Sequence, residues 1–286
     1  MPLLRYSRPL HLLFAALTYS LGAGIADYLG KPFQADTFWL GMFSILLAQL
    51  AMGLLHEVFR LDVEPLLENE TRRQRQTLRN NALYISLTSL AVIGITAYVL
   101  FSSGKMPPVA LNFLLLSLVL IIVYALPPFR NRGFGEFLLS IQMVYIYPSI
   151  AYILQAGHTH RFLFITLPLM LLTFAYFMVM DFPTYASDRK NNRVTLLTRL
   201  GWERVIPMHH FVIALAYFFL AAAVPFGISI SLIAPAFLTL PFAIFQIIQL
   251  RAIALGNPPN WKLLTSTALA VCGLTVYFLT LSFWLR

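Results

Sequence analysis

The stretch FLFITLPLMLLTFAYFMVMDFPTYASDRKNNRVTLLTRLG, residues 162–201, changes character partway along. Residues 162–179 carry no charge, and behind them come Asp181, Asp188, Arg189, Lys190, Arg193 and Arg199. At 1.5 Å of rise per residue the uncharged run covers ~27 Å as a helix, close to the hydrocarbon thickness of a bilayer. The charges then mark the place where the chain leaves lipid.

The rest of the chain repeats this pattern. Of its 286 residues 59% are hydrophobic and 11% charged, with a mean hydropathy of +0.76. A water-soluble domain of this size cannot hide so much apolar surface, so the sequence reads as an integral, polytopic membrane protein. Backbone polar groups in lipid must be satisfied internally, which leaves helices or closed barrels. Long unbroken apolar runs, with no alternating segments, select helices. Such runs fall near residues 11–29, 38–60, 82–102, 109–126, 134–155, 162–180, 210–226, 229–249 and 263–285. The predicted fold is an all-α bundle of about nine transmembrane helices. No linker or low-complexity segment divides the chain, so residues 1–286 read as one domain. The basic, apolar start resembles a signal peptide, but with so many spans behind it a retained first helix is expected.

The net charge of +9 raises the question of nucleic acid, and its placement answers it. With nine spans, 16 of the 20 Lys and Arg residues fall in loops on one side. That asymmetry fits the positive-inside rule, predicts a cytoplasmic N-terminus and argues against a nucleic-acid-binding face. Cys272 is the only cysteine, which excludes an intrachain disulfide. His209 and His210 are expected to open the seventh helix at the cytoplasmic interface.

Two helix ends on the basic side are acidic. The first reads HEVFRLDVEPLLENE from His56, and on a helix Glu57, Arg60 and Glu64 share one face while Asp62 points away. In the second, Asp181, Tyr185 and Asp188 align at i, i+4 and i+7, although Pro183 interrupts the run. Carboxylates under basic loops suit a ligand that is both anionic and metal-bound, because Mg²⁺ takes one or two carboxylates plus phosphate oxygens while Arg and Lys neutralise the remaining charge. Glu57, Arg60 and Glu64 read equally well as a self-contained helical ion triad with no ligand.

The stretch DFPTYASDRKNNRVTLLTRLG resembles the second signature of the UbiA-type membrane prenyltransferases, particularly the branch that acts on dihydroxynaphthoate in menaquinone synthesis. Asp181 falls on the leading polar position, Asp188 on the second Asp and Arg189 on the basic residue after it. Arg193 stands where Lys is usual, and Thr195, Leu196, Arg199, Leu200 and Gly201 match the tail. SRPLHLLFAALTYSLG is similar to the family's opening, through Arg8, Pro9 and Gly22. YALPPFRNRGFGE is similar to its Tyr-x-x-Pro-Pro-x-Arg and Gly-x-Gly-Glu segment, through Tyr124, Pro127, Pro128, Arg130, Gly133, Gly135 and Glu136. The departures are His56, Glu57, Arg60 and Glu64 in place of an Asn- and Asp-rich first signature, Thr184 at the first Asp of the second, and Asn192 in place of Gly.

The resemblance implies a nine-helix fold and a reaction that moves a polyprenyl group from its diphosphate to an aromatic, quinone-precursor-like acceptor in a bacterial or archaeal membrane. It implies Mg²⁺ held by Glu57, Glu64, Asp181 and Asp188. Arg60, Arg130, Arg189 and Arg193 would hold the diphosphate, and Tyr124 and Tyr185 would line the place where an allylic cation meets the acceptor. The alternative, on Arg60 and Thr184, is a non-catalytic relative that binds lipid or a partner.

Overall fold

The computed structural model describes residues 7–59, 71–126 and 133–286, and all its regular structure is helical. Nine helices among the described residues are long and apolar enough to cross a membrane. They are α1 (Pro9–Tyr28), α2 (Ala35–Val58), α3 (Arg72–Ser102), α4 (Pro108–Ala125), α5 (Gly135–Ala156), α6 (Leu163–Met180), α9 (Trp202–Ala222), α10 (Ile230–Ala254) and α11 (Trp261–Trp284). Two short helices, α7 (Tyr185–Lys190) and α8 (Leu196–Leu200), fill the connection between α6 and α9.

The helix starts follow local chemistry. Pro9 and Pro108 open α1 and α4 at the first helical position, where the missing N–H costs nothing. Thr71 caps α3 in a reciprocal box with Gln74. That cap lies well ahead of the apolar run, so α3 reaches 31 residues and projects a basic first turn beyond the span. Between the seventh and eighth spans α9 stops at Ala222, Gly227 takes φ 92°, and α10 begins at Ile230.

One boundary differs from expectation. The helix expected to open near His209 begins at Trp202, and His209 lies inside it with no exposed surface. Glu203, Arg204 and Pro207 depress the hydropathy of that first stretch; Glu203 suits the first turn, and Pro207 is carried inside the helix at the loss of one ladder bond.

The spans close into a ring. α1 packs on α2, α5 and α11; α6 packs on α5, α9 and α11; α3 leans mainly on α2. α5 is the most enclosed, with 78% of its apolar window buried. With no hydrophobic drive between helices in lipid, close backbone approach does the packing. At the α1–α5 crossing a Cβ on Gly22 would stand 2.0 Å from the Pro148 carbonyl oxygen, so only glycine fits. Trp284 Nε1 donates to the Ser20 carbonyl at 2.9 Å and ties the last helix to the first. Two spans carry a π-helical turn, Gln142–Ile146 in α5 and Ala270–Leu274 in α11.

Candidate active site

The acidic stretch after α6 does not continue as one helix. Pro183 has no N–H to give the ladder, so α6 ends at Met180 and Asp181–Thr184 form a turn before α7. The expected i, i+4, i+7 face is therefore broken, and only Tyr185 and Asp188 share a helix. α7 closes as a Schellman motif: Arg193 N–H donates to the Asp188 carbonyl at 2.9 Å and Asn192 N–H to the Arg189 carbonyl at 3.4 Å. Asn192 supplies the left-handed residue this turn needs, at φ 52°. Thr195 then caps α8 with Thr198, and Gly201 turns the chain into α9 at φ 76°, ψ 156°, a region open essentially to glycine alone.

This folding buries Asp188, whose side chain is 7% exposed. One carboxylate oxygen accepts from the Thr184 hydroxyl at 2.7 Å and the other from Arg193 Nη1 at 3.4 Å. Thr184, at the position of an expected Asp, thus serves the remaining Asp as a donor. Arg189 is exposed, while Tyr185 is half-buried against the core.

A third carboxyl joins from α5. Gly133, at φ 70°, lies against the Thr195–Leu196 backbone so closely that a Cβ would reach 3.0 Å from the Thr195 carbonyl oxygen. The chain then enters α5 with Glu136 buried, its Oε1 accepting from the Leu196 N–H at 3.3 Å. Its other oxygen, Oε2, finds no donor in the described protein, nor does Oδ2 of Asp181. Asp181 is pushed up to about 9, first by burial and then by Glu136, with Arg193 opposing.

The second acidic end sits across the same face. Glu57, in the last turn of α2, pairs with Arg8 Nη2 at 3.4 Å, and Arg8 Nη1 donates to the Tyr124 hydroxyl at 3.1 Å. The His56 ring stacks on Tyr124 at 4.7 Å between centroids. Arg8 reaches both partners from a left-handed backbone, φ 47° and ψ 67°, which costs a non-glycine residue ~1–2 kcal/mol. A Cβ on Gly135, the residue before Glu136, would touch the Tyr124 ring at 3.3 Å, which joins the two groups.

The start of α1, the ends of α2, α4 and α6, and the start of α5 therefore converge on one polar face. Of the residues expected there, Glu57, Tyr124, Asp181, Asp188 and Arg193 are joined to it by these contacts, while Tyr185 packs against the core and Arg189 is exposed on α7. Arg60, Glu64 and Arg130 lie outside the described residues. Among the described residues no group of three or more His, Cys, Asp or Glu side chains forms a ready metal cage. The oxygens best suited to a cation are those of Glu136 and Asp181. Arg8 and Glu136 were visible in sequence only as members of short motifs. Their signal was a charge in the first turn of an otherwise apolar span.

Nine apolar spans, with carboxyls and arginines gathered at one end of the bundle, define a multi-pass membrane protein. The chain belongs to the UbiA prenyltransferase family, whose sequence pattern matches residues 15–265. Comparison with curated proteins gives no match. Among solved structures, the fold is similar to a UbiA homologue from Archaeoglobus fulgidus bound to GPP and Mg²⁺, at 15% identity and a TM-score of 0.66 with all of both chains covered. It is also similar to a structure concerned with digeranylgeranylglyceryl phosphate synthase, at 17% identity and a TM-score of 0.64, covering 100% of this chain and 98% of that one. An apo UbiA homologue from Aeropyrum pernix K1 matches at 14% identity and a TM-score of 0.64, covering 93% and 97%.

Proposed function

We propose that this protein transfers a polyprenyl group from its diphosphate to an aromatic acceptor inside the membrane, with Mg²⁺. The observation that carries this reading is the Glu136–Asp181 pair: two buried carboxyls whose proximity, with burial, keeps a proton on Asp181, each with one buried oxygen that no donor satisfies. A divalent cation in place of that proton would satisfy both, and a solved relative binds GPP together with Mg²⁺. Asp181 and Asp188, with Glu136 and with Glu57 and Glu64, are the residues to hold the metal, which supplies charge neutralisation for the leaving diphosphate.

The remaining work falls to the chain's own groups. Arg193 and Arg189, with Arg60 and Arg130, hold phosphate oxygens and stabilise charge as the allylic C–O bond breaks and its electrons pass to diphosphate. Tyr124 and Tyr185 flank the position where the allylic carbon meets the acceptor ring. There a new C–C bond forms, and the ring proton leaves with the diphosphate products. The apolar bundle holds the tail. The charged face is cytoplasmic, and a dihydroxynaphthoate is the first acceptor to test.

The test is Mg²⁺-dependent diphosphate release from geranyl diphosphate with a panel of hydroxylated aromatic acceptors. Release is expected in the wild type and a loss of about 100-fold or more in Asp188→Ala. A folded wild type silent with every acceptor would overturn the proposal.

The Arg8–Glu57 and Thr184–Asp188–Arg193 contacts, complete without metal, favour a second reading as a non-catalytic relative. On that reading Glu57→Ala lowers the melting temperature in detergent, while Mg²⁺ with diphosphate leaves the wild type unmoved.

A further inference from the structure

One helical turn beneath the charged face lies a small pocket shared by α1, α5, α6 and α11, lined by Leu10, His11, Phe14, Met143, Tyr176 and Cys272 among others. Both π-helical turns among the described residues reach it, the α5 turn through Met143 and the α11 turn through Cys272. A π-turn is a local cost that recurs where a helix must present side chains to a site. Two on one pocket mark it.

The lining is apolar except where it matters. His11 stands in the first turn of α1, its N–H bonded to the Arg8 carbonyl at 2.8 Å. Its ring is fixed edge-on to Phe177 at 5.4 Å, one turn before Asp181. Its Nδ1 is buried and makes no hydrogen bond in the described protein. The Tyr176 side chain is also buried, at 8% exposure, and its hydroxyl makes no hydrogen bond among the described residues. Cys272 does not serve either of them, since its thiol pairs with the Thr173 hydroxyl at 3.4 Å. Unpaired polar groups at membrane depth are costly, and a ligand with the matching group relieves that cost. The pocket's volume of about 10 Å³ admits one small polar group and no ring.

We infer that this pocket reads a hydroxyl group of a phenolic acceptor, with His11 accepting its hydrogen bond and Tyr176 donating a second. The inference rests on the prenyl-transfer reading for the identity of the ligand, and it makes His11 and Tyr176 specificity-determining residues. A pocket that pairs a hydroxyl rejects an isostere without one, because its own polar groups are then left unsatisfied.

The experiment measures equilibrium affinity for 1-naphthol against 1-methylnaphthalene, which replaces the hydroxyl with a methyl of similar size. The full-length protein is held in nanodiscs with Mg²⁺ and non-hydrolysable geranyl thiodiphosphate, and each affinity is corrected for partition into empty nanodiscs. The wild type is expected to prefer the naphthol by about 10- to 100-fold. His11→Phe and Tyr176→Phe each cut that ratio toward unity, and His11→Gln, which keeps an acceptor, retains part of it. A loss of packing alone weakens both ligands together and leaves the ratio in place. No preference in the wild type, or a preference untouched in both folded Phe variants, overturns the inference. If the preference is present and sensitive while no acceptor is ever prenylated, the transfer reading fails and the phenol pocket stands. If prenylation proceeds without preference, the reverse holds.

Discussion

Asp181 holds a proton at neutral pH because it is buried against another carboxyl, and this has a measurable sign. Its folded pKa lies near 9 and its ordinary value near 4, so between those limits the folded protein binds a proton that the unfolded chain has released. Stability from this group is complete below about pH 4 and is lost as the pH rises toward 9, with a slope of at most ~1.4 kcal/mol per unit. In detergent with a chelator, the melting temperature should therefore fall between pH 5 and pH 8. Asp181→Asn, which mimics the protonated acid, should flatten that fall, and millimolar Mg²⁺ should oppose it in the wild type. An equal slope in the Asn variant would show that some other group titrates. Arg8 is the opposite case at this scale, a permanent charge set by a left-handed backbone between Glu57 and Tyr124.

Among elements, α7 shows how a departure from a family pattern can be conservative. Its closing turn needs one residue in the left-handed region. Glycine adopts that region freely, and asparagine is among the few others that visit it readily. Asn192→Gly should leave the melting temperature within a degree or two of wild type and keep diphosphate release. Asn192→Val, with a branched Cβ forced into that conformation, should destabilise the protein by ~1–2 kcal/mol. It should also weaken release, since the same turn positions Arg193 on Asp188. Differential scanning fluorimetry beside the release assay separates the effects, and a Val variant indistinguishable from wild type would refute the assigned role. The turn after α6 is a second case, since Pro183 ends one helix and lets Asp181 swing toward Glu136 instead of lining up with Asp188.

For the whole molecule, the ring of spans puts the basic loops and the acidic pockets on one side. At the other side Lys105 pairs with Asp36 near the start of α2. We propose, from the charge asymmetry, that the basic side faces the cytoplasm. Ser187, exposed on α7, reports on this when changed to cysteine, and the native Cys272 is buried and gives little background. Ser187→Cys should react with a membrane-impermeant maleimide in inverted vesicles and resist it in right-side-out ones. Labelling from the outside would invert the topology.

Hydropathy made the class, the helix count and most span boundaries readable from the sequence, because lipid imposes its thickness on every span locally. The Thr-Leu and Arg-Leu-Gly tail carried the family resemblance in sequence, and its cap at Thr195 and turn at Gly201 appear in the structure. What tertiary structure alone decided is which charges meet. Glu136 and Asp181 stand far apart in the chain, as do Arg8, Glu57 and Tyr124, and only the packing of α1, α2, α4, α5 and α6 sets their distances. The same holds for His11 and Tyr176, which in sequence are an ordinary histidine and an ordinary tyrosine in greasy helices. Their missing partners become visible only once four helices have closed around them. Periodicity and turn chemistry act over a few residues and are written in order along the chain, whereas carboxyl pairing and pocket polarity depend on distances across the bundle.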